Sequence, residues 1–172
     1  MLIREGQKKP TGTIYINNRG KQHKYINAYL KRKNILYEWQ RLDFGDYQIE
    51  GKPIVMFVFD SISDFAKTVC DKKNNHFWKQ VSRATKGNDM FLFCLIESDD
   101  VHSYLELQEW RDCRKNINGV QLLSEIETMR KYPRTHVLFF DKRDMPAVAV
   151  NILGNDLKTL ETYERWKHTE TE

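Results

Sequence analysis

No run in this 172-residue chain approaches the roughly eighteen consecutive apolar residues that a membrane-spanning helix requires. The start, Met1-Leu-Ile-Arg4-Glu5, is charged within four residues, which is unlike the apolar segment of a secretory signal. The expectation is a soluble, intracellular protein without membrane attachment. Cysteine is scarce: Cys70, Cys94 and Cys113 are an odd number at wide spacing with no Cys-x-x-Cys pair, and they read as reduced thiols rather than staples or metal ligands. The five histidines, His23, His76, His102, His136 and His168, lack ligand spacing and read as surface or packing residues. No internal repeat or low-complexity segment occurs.

What is present is an ordinary globular composition, 40% apolar and 12% aromatic, which is too hydrophobic for a disordered chain and long enough to bury one core. The net charge of +4 hides an uneven distribution. Residues 1–33 hold nine cations and one acid, or +8, so the remainder sums to −4. Clustered Lys and Arg point to a phosphate-rich partner, since each phosphate neutralised releases a condensed counterion.

Residues 1–12, with Gly6, Pro10 and Gly12 among charges, read as a flexible basic arm, and residues 13–172 as a single domain. Thr13–Ile16 is a short strand that Asn17-Asn-Arg-Gly20 ends. From Gln22 to Lys33, Tyr25, Ile26, Tyr29 and Leu30 recur at helical spacing, with Lys21, Lys24, Lys31 and Arg32 elsewhere on the wheel. Ile35–Asp43 alternates like a half-buried strand, Tyr47–Ile49 returns as its neighbour, and Ile54–Phe59 is apolar throughout, as in a strand covered on both faces. Ser61 or Ser63 caps the following helix. Further helices are expected over Asn75–Thr85, with Lys79, Arg83 and Lys86 outward, and over Tyr104–Arg114, Val120–Arg130, Ala147–Leu153 and Leu157–Trp166; Met90–Ile96 and Thr135–Phe140 complete the strands. Strands separated by helices predict an α/β sandwich.

This order of elements, with Arg41-Leu-Asp-Phe-Gly-Asp-Tyr47, the helix Ser61-Ile-Ser-Asp64-Phe65 and the strand Phe93-Cys-Leu-Ile-Glu97, resembles the XPF-type nuclease domain over roughly residues 13–150. The resemblance implies a restriction-endonuclease-like fold, a central mixed sheet flanked by helices. Members of that family typically carry Asp-x-Arg-Glu after the first strand, then Gly-Asp, then Glu-Arg-Lys-x-x-x-Asp, and hold Mg²⁺ or Mn²⁺ on the carboxylates. Here the first motif reads Asn17-Asn18-Arg19-Gly20 and the third begins Val58-Phe59-Asp60. Arg19, Asp46 and Asp64 match; Val58 replaces the second carboxylate, and Asp60 stands where the lysine belongs. Hard divalent ions need several charged oxygens, so the expected metal site is degenerate.

Three functions follow as alternatives. In the first, the chain is a non-catalytic DNA-binding or scaffold protein with Arg19, Lys21, Lys24, Lys31 and Arg32 on phosphates and no cofactor, pairing with a copy of itself or another chain as the family does. In the second, an active Mg²⁺- or Mn²⁺-dependent endonuclease uses a rebuilt site at Asp46, Asp60 and Asp64, with Asp46 on the metal and Lys52 or Lys67 reaching in. In the third, a protein-interaction module or inhibitor presents Glu97-Ser-Asp-Asp100 with Tyr104 and Trp110. No Gly-rich helix-hairpin-helix pair is evident within these 172 residues, and the expectation is a short stand-alone member similar to those carried by phages.

Overall fold

The computed structural model describes residues 9–155 except 72, 74 and 75. The expected arm lies outside these residues over 1–8, as does the helix over Leu157–Trp166. The chain runs β1 (Ile14–Asn17), α1 (Lys24–Arg32), β2 (Tyr37–Gln40), β3 (Tyr47–Ile49), β4 (Lys52–Phe59), α2 (Ile62–Cys70), α3 (His76–Ser82), a π-helical turn (Arg83–Gly87) and β5 (Phe91–Glu97). It continues with α4 (Tyr104–Leu107), β6 (Arg111–Asp112), β7 (Ile117–Asn118), α5 (Gly119–Arg130), β8 (Thr135–Phe140) and α6 (Met145–Gly154).

Among the described residues one mixed sheet has the order β2-β1-β3-β4-β5-β8. β4, β5 and β8 run parallel, while β3 is antiparallel to both β1 and β4. The apolar runs in β4 and β5 are continuous because both faces are covered. Val55, Phe57 and Phe59 pack with Phe65, Val81 and Ile126 of α2, α3 and α5, whereas Ile54, Met56 and Val58 pack with Ile26 and Leu30 of α1 and Val148 and Ile152 of α6. The sheet is therefore the middle layer of three.

Two expected elements differ. The strand over Ile35–Asp43 shrinks to Tyr37–Gln40 at the sheet edge, where Trp39, on the expected apolar side of the alternation, is 45% exposed. The helix over Tyr104–Arg114 stops at Leu107, and a small hairpin, β6–β7, follows. Asp112 accepts the Arg114 N–H, closing a local turn that competes with helix, and Asn116 takes the left-handed conformation at φ 53°. Gly119 then lies so close to the end of α4 that a Cβ there would meet the Leu107 carbonyl oxygen. Ser61 is the cap of α2, its hydroxyl accepting the Asp64 N–H at 3.0 Å.

Candidate functional site

The end of the sheet at which β1, β4 and β5 finish and β3 begins collects the polar residues of the Gly-Asp loop. Asn17 pins that loop. Its amide donates to the Gly45 carbonyl at 2.9 Å, and its backbone N–H donates to the Asp46 carbonyl at 2.9 Å. An ionised carboxylate in its place would have no proton to give Gly45. The Gly45 N–H in turn reaches Gln80 Oε1 of α3 at 3.1 Å. Gly45 has φ +67°, and a Cβ there would lie 2.7 Å from the Met56 oxygen, so only glycine fits the turn that delivers Asp46.

Asp46 is locked from two sides. Its Oδ2 accepts the Val58 N–H at 2.8 Å, and the same oxygen stands 3.6 Å from His23 Nε2, an ion-pair rather than a hydrogen-bond separation. The other ring nitrogen, Nδ1, is 3.2 Å from Asp60 Oδ1. His23 is 3% exposed, and it enters the site because it opens α1 on the face that continues through Ile26 and Leu30. Tyr47 fixes that helix by donating its hydroxyl to Asn27 Oδ1 at 2.7 Å. Asp60 is held further by the Lys21 ammonium at 2.5 Å; Asp64 lies 3.9 Å from the same ammonium, and its Oδ2 accepts the Asp60 N–H at 3.4 Å.

Burial would push the His23 imidazole down, but the Asp46 and Asp60 carboxylates outweigh it and hold the ring above its ordinary value. Burial likewise opposes charge on Asp60, yet Lys21 and His23 together bring that carboxyl below its usual range. The hydrogen bond to Asp60 raises the Lys21 ammonium. With a carboxylate facing each ring nitrogen and Lys21 on Asp60, both acids are paired within the chain.

This is the place where a divalent ion would be expected from the sequence, and the donor set does not fit one. Val58 offers Asp46 only a backbone N–H, and the imidazole lies between the carboxylates. Among the described residues no group of three or more His, Cys, Asp or Glu side chains is placed to hold a metal. Lys52 does not reach in; its ammonium bonds the Gly154 and Asn155 carbonyls at 3.0 Å each. Lys67 does line the groove of about 380 Å³ that opens over Asp46, beside His76, Phe77 and Gln80.

A family model for the ERCC4 domain matches residues 16–150. The chain belongs to the ERCC4 domain family. Its fold is similar to that of XPF from Aeropyrum pernix, with a TM-score of 0.61 at 18% identity over 90% of this chain and 69% of that one. The same archaeal protein in complex with DNA gives 0.60 at 16% identity, over 86% and 69%. No curated protein matches the sequence. The restriction-endonuclease-like sheet implied by the family resemblance is thus the fold observed.

Within this ERCC4 domain the three candidate acids converge: Asp60 and Asp64 meet at Lys21, and Asp46 and Asp60 meet at His23. The cations separate instead. Lys21 is engaged by acids, whereas Arg19, Lys24, Lys31 and Arg32 are exposed, Arg32 lying 5.4 Å over the Tyr29 ring. His23 escaped the sequence reading because it lies among lysines; the signal available was its spacing of three and seven residues from Ile26 and Leu30. His136, by contrast, is a packing residue as expected, 1% exposed and stacked on Phe93 at 4.8 Å.

Proposed function

We propose that this chain is a nuclease-like DNA-binding or scaffold protein of the ERCC4 domain family whose catalytic position has become an internal ion-pair network. The observation that carries the reading is the His23 ring between Asp46 and Asp60, completed by Lys21. In this account the carboxylates are neutralised by the chain's own cations, so no divalent ion is required and none is bound in function. The exposed cations Arg19, Lys24, Lys31 and Arg32 serve the phosphate backbone, a role supported by the likeness to an XPF seen with DNA and by the local charge of residues 1–33. Pairing with a second chain belongs to the same proposal.

The test is incubation with end-labelled splayed-arm and duplex DNA in Mn²⁺, each sample run on native and denaturing gels. The expected result is intact strands with a shift that weakens steeply with salt. Shortened strands that vanish with EDTA and with Asp46→Ala would establish a rebuilt metal centre instead. Intact strands with no shift would favour a protein partner, for which the acidic cleft of about 250 Å³ lined by Asp60, Glu97, Asp99, Asp100 and Trp110 is the candidate surface.

A further inference from the structure

Between Asp71 and Asp89 the sequence carries Lys72, Lys73, Lys79, Arg83 and Lys86 and not one acid. This is a second basic concentration, in the part of the chain whose overall balance is negative. Lys79, Arg83 and Lys86 are all exposed, while Phe77, Val81, Ala84 and Thr85 are buried, so the helix α3 and the π turn that extends it turn one face inward and a cationic face outward. Among the described residues none of these three cations has an ion-pair partner, in contrast to Lys21 with Asp60 and Arg134 with Asp89. Lys79 and Arg83 are four residues apart, a like-charge spacing that opposes helix formation. An ordinary solvated helix face would intersperse acids there.

Two of the cations are also held in place. The Arg83 guanidinium lies 5.2 Å from the Phe44 ring centroid and the Lys86 ammonium 4.6 Å from that of Tyr132, contacts that steady the side chains without consuming their hydrogen-bond donors. Phe44 belongs to the Gly-Asp loop, and Gln80, one turn before Arg83, both lines the groove and accepts the Gly45 N–H. The stripe is therefore rigidly joined to the wall of the groove. From Lys79 to Lys86 it rises about 10 Å at about 1.5 Å per residue, long enough for its cations to meet more than one phosphate of a duplex backbone.

We infer that the outer face of α3 and its π turn, Lys79, Arg83 and Lys86, is a second track for a duplex DNA backbone, separate from the α1 cations. The inference rests on the reading that the chain binds DNA. The π turn contributes by carrying the stripe past the end of the regular helix, in line with the frequent occurrence of such turns at functional positions.

The experiment is fluorescence anisotropy of a fluorescein-labelled duplex with the full chain across a salt titration. It compares wild type, the triple variant Lys79→Gln/Arg83→Gln/Lys86→Gln and the α1 triple variant Lys24→Gln/Lys31→Gln/Arg32→Gln. The α3 variant is expected to bind at least about tenfold more weakly at low salt and to lower the slope of log K against log salt by about 2 to 3. Wild-type affinity and slope in the α3 variant, with loss only in the α1 variant, would overturn the second track and leave the DNA-binding reading standing. Absence of binding by wild type at low salt would overturn both. Lys79→Glu alone, a charge reversal at one exposed helical position, gives the same comparison should the triple variant fold poorly: a weaker, flatter response supports the track, and an unchanged one contradicts it.

Discussion

His23 Nδ1 lies 3.2 Å from Asp60 Oδ1 in a site where the opposite ring nitrogen faces Asp46, and this pairing ties the start of α1 to the end of β4. It joins two elements 37 residues apart in sequence. Removing the buried ring from between these carboxylates leaves Asp46 without a cationic neighbour and Asp60 with Lys21 alone, both in partly buried positions.

Replacement of His23 by Ala is therefore expected to destabilise the fold by about 3 kcal/mol. Urea denaturation measures this directly. Combining it with Asp60→Ala should cost less than the sum of the two single changes by about 1 kcal/mol, since the second change removes a charge that the first had stranded. Strict additivity would show that the two side chains do not interact.

The pH dependence follows from the direction of the His23 shift. The group titrates above its ordinary 6.5 in the folded chain, so its contribution is complete below that value and is lost as pH rises through the folded one. His102, hydrogen-bonded to Asp141 at 2.7 Å, is raised as well and contributes in the same sense. In a His102→Gln background, urea midpoints should still decline from pH 6.5 upward, and adding His23→Gln should flatten that decline. On the acid side Asp60 is lowered, so its contribution holds above its ordinary 3.8 and fades as pH falls through the folded value.

Gly45→Ala tests the turn that delivers Asp46. With φ +67° and the Met56 oxygen 2.7 Å from the new Cβ, the variant should lose at least about 1 kcal/mol, read as a lower urea midpoint. A neutral result would mean that the loop relaxes freely, and the position of Asp46 would then not be fixed by the fold.

Lys52→Met removes the ammonium that bonds the last carbonyls of α6, where a positive charge also complements the helix dipole. A loss of about 1 kcal/mol is expected, with faster hydrogen exchange near residues 151–155. Equal exchange in both proteins would contradict the capping role.

Much of the fold was legible because β4, β5 and β8 are apolar runs separated by amphipathic helices, a pattern set by burial on both sheet faces. Tyr104–Arg114 misled because its apolar spacing continues past Leu107, while Asp112, Asn116 and the close approach of Gly119 decide for a hairpin. Asp46, Asp60 and Asp64 could be named from the motif. Their companion left only its helical spacing from Ile26 and Leu30 as a sign: His23 joins them when α1 folds back on the sheet, a contact between residues far apart in the chain. The pairing of Lys21 with Asp60 is likewise tertiary and leaves no mark in the local sequence.

The most direct measurement of the central claim is the electron paramagnetic resonance signal of free Mn²⁺ titrated with the full protein. If the chain's own cations neutralise the carboxylates, the free-ion signal stays at its protein-free amplitude for wild type and for Asp46→Ala alike. A signal that falls with wild type and recovers with Asp46→Ala would contradict the account, placing a metal ion at Asp46 and returning the chain to the active nucleases.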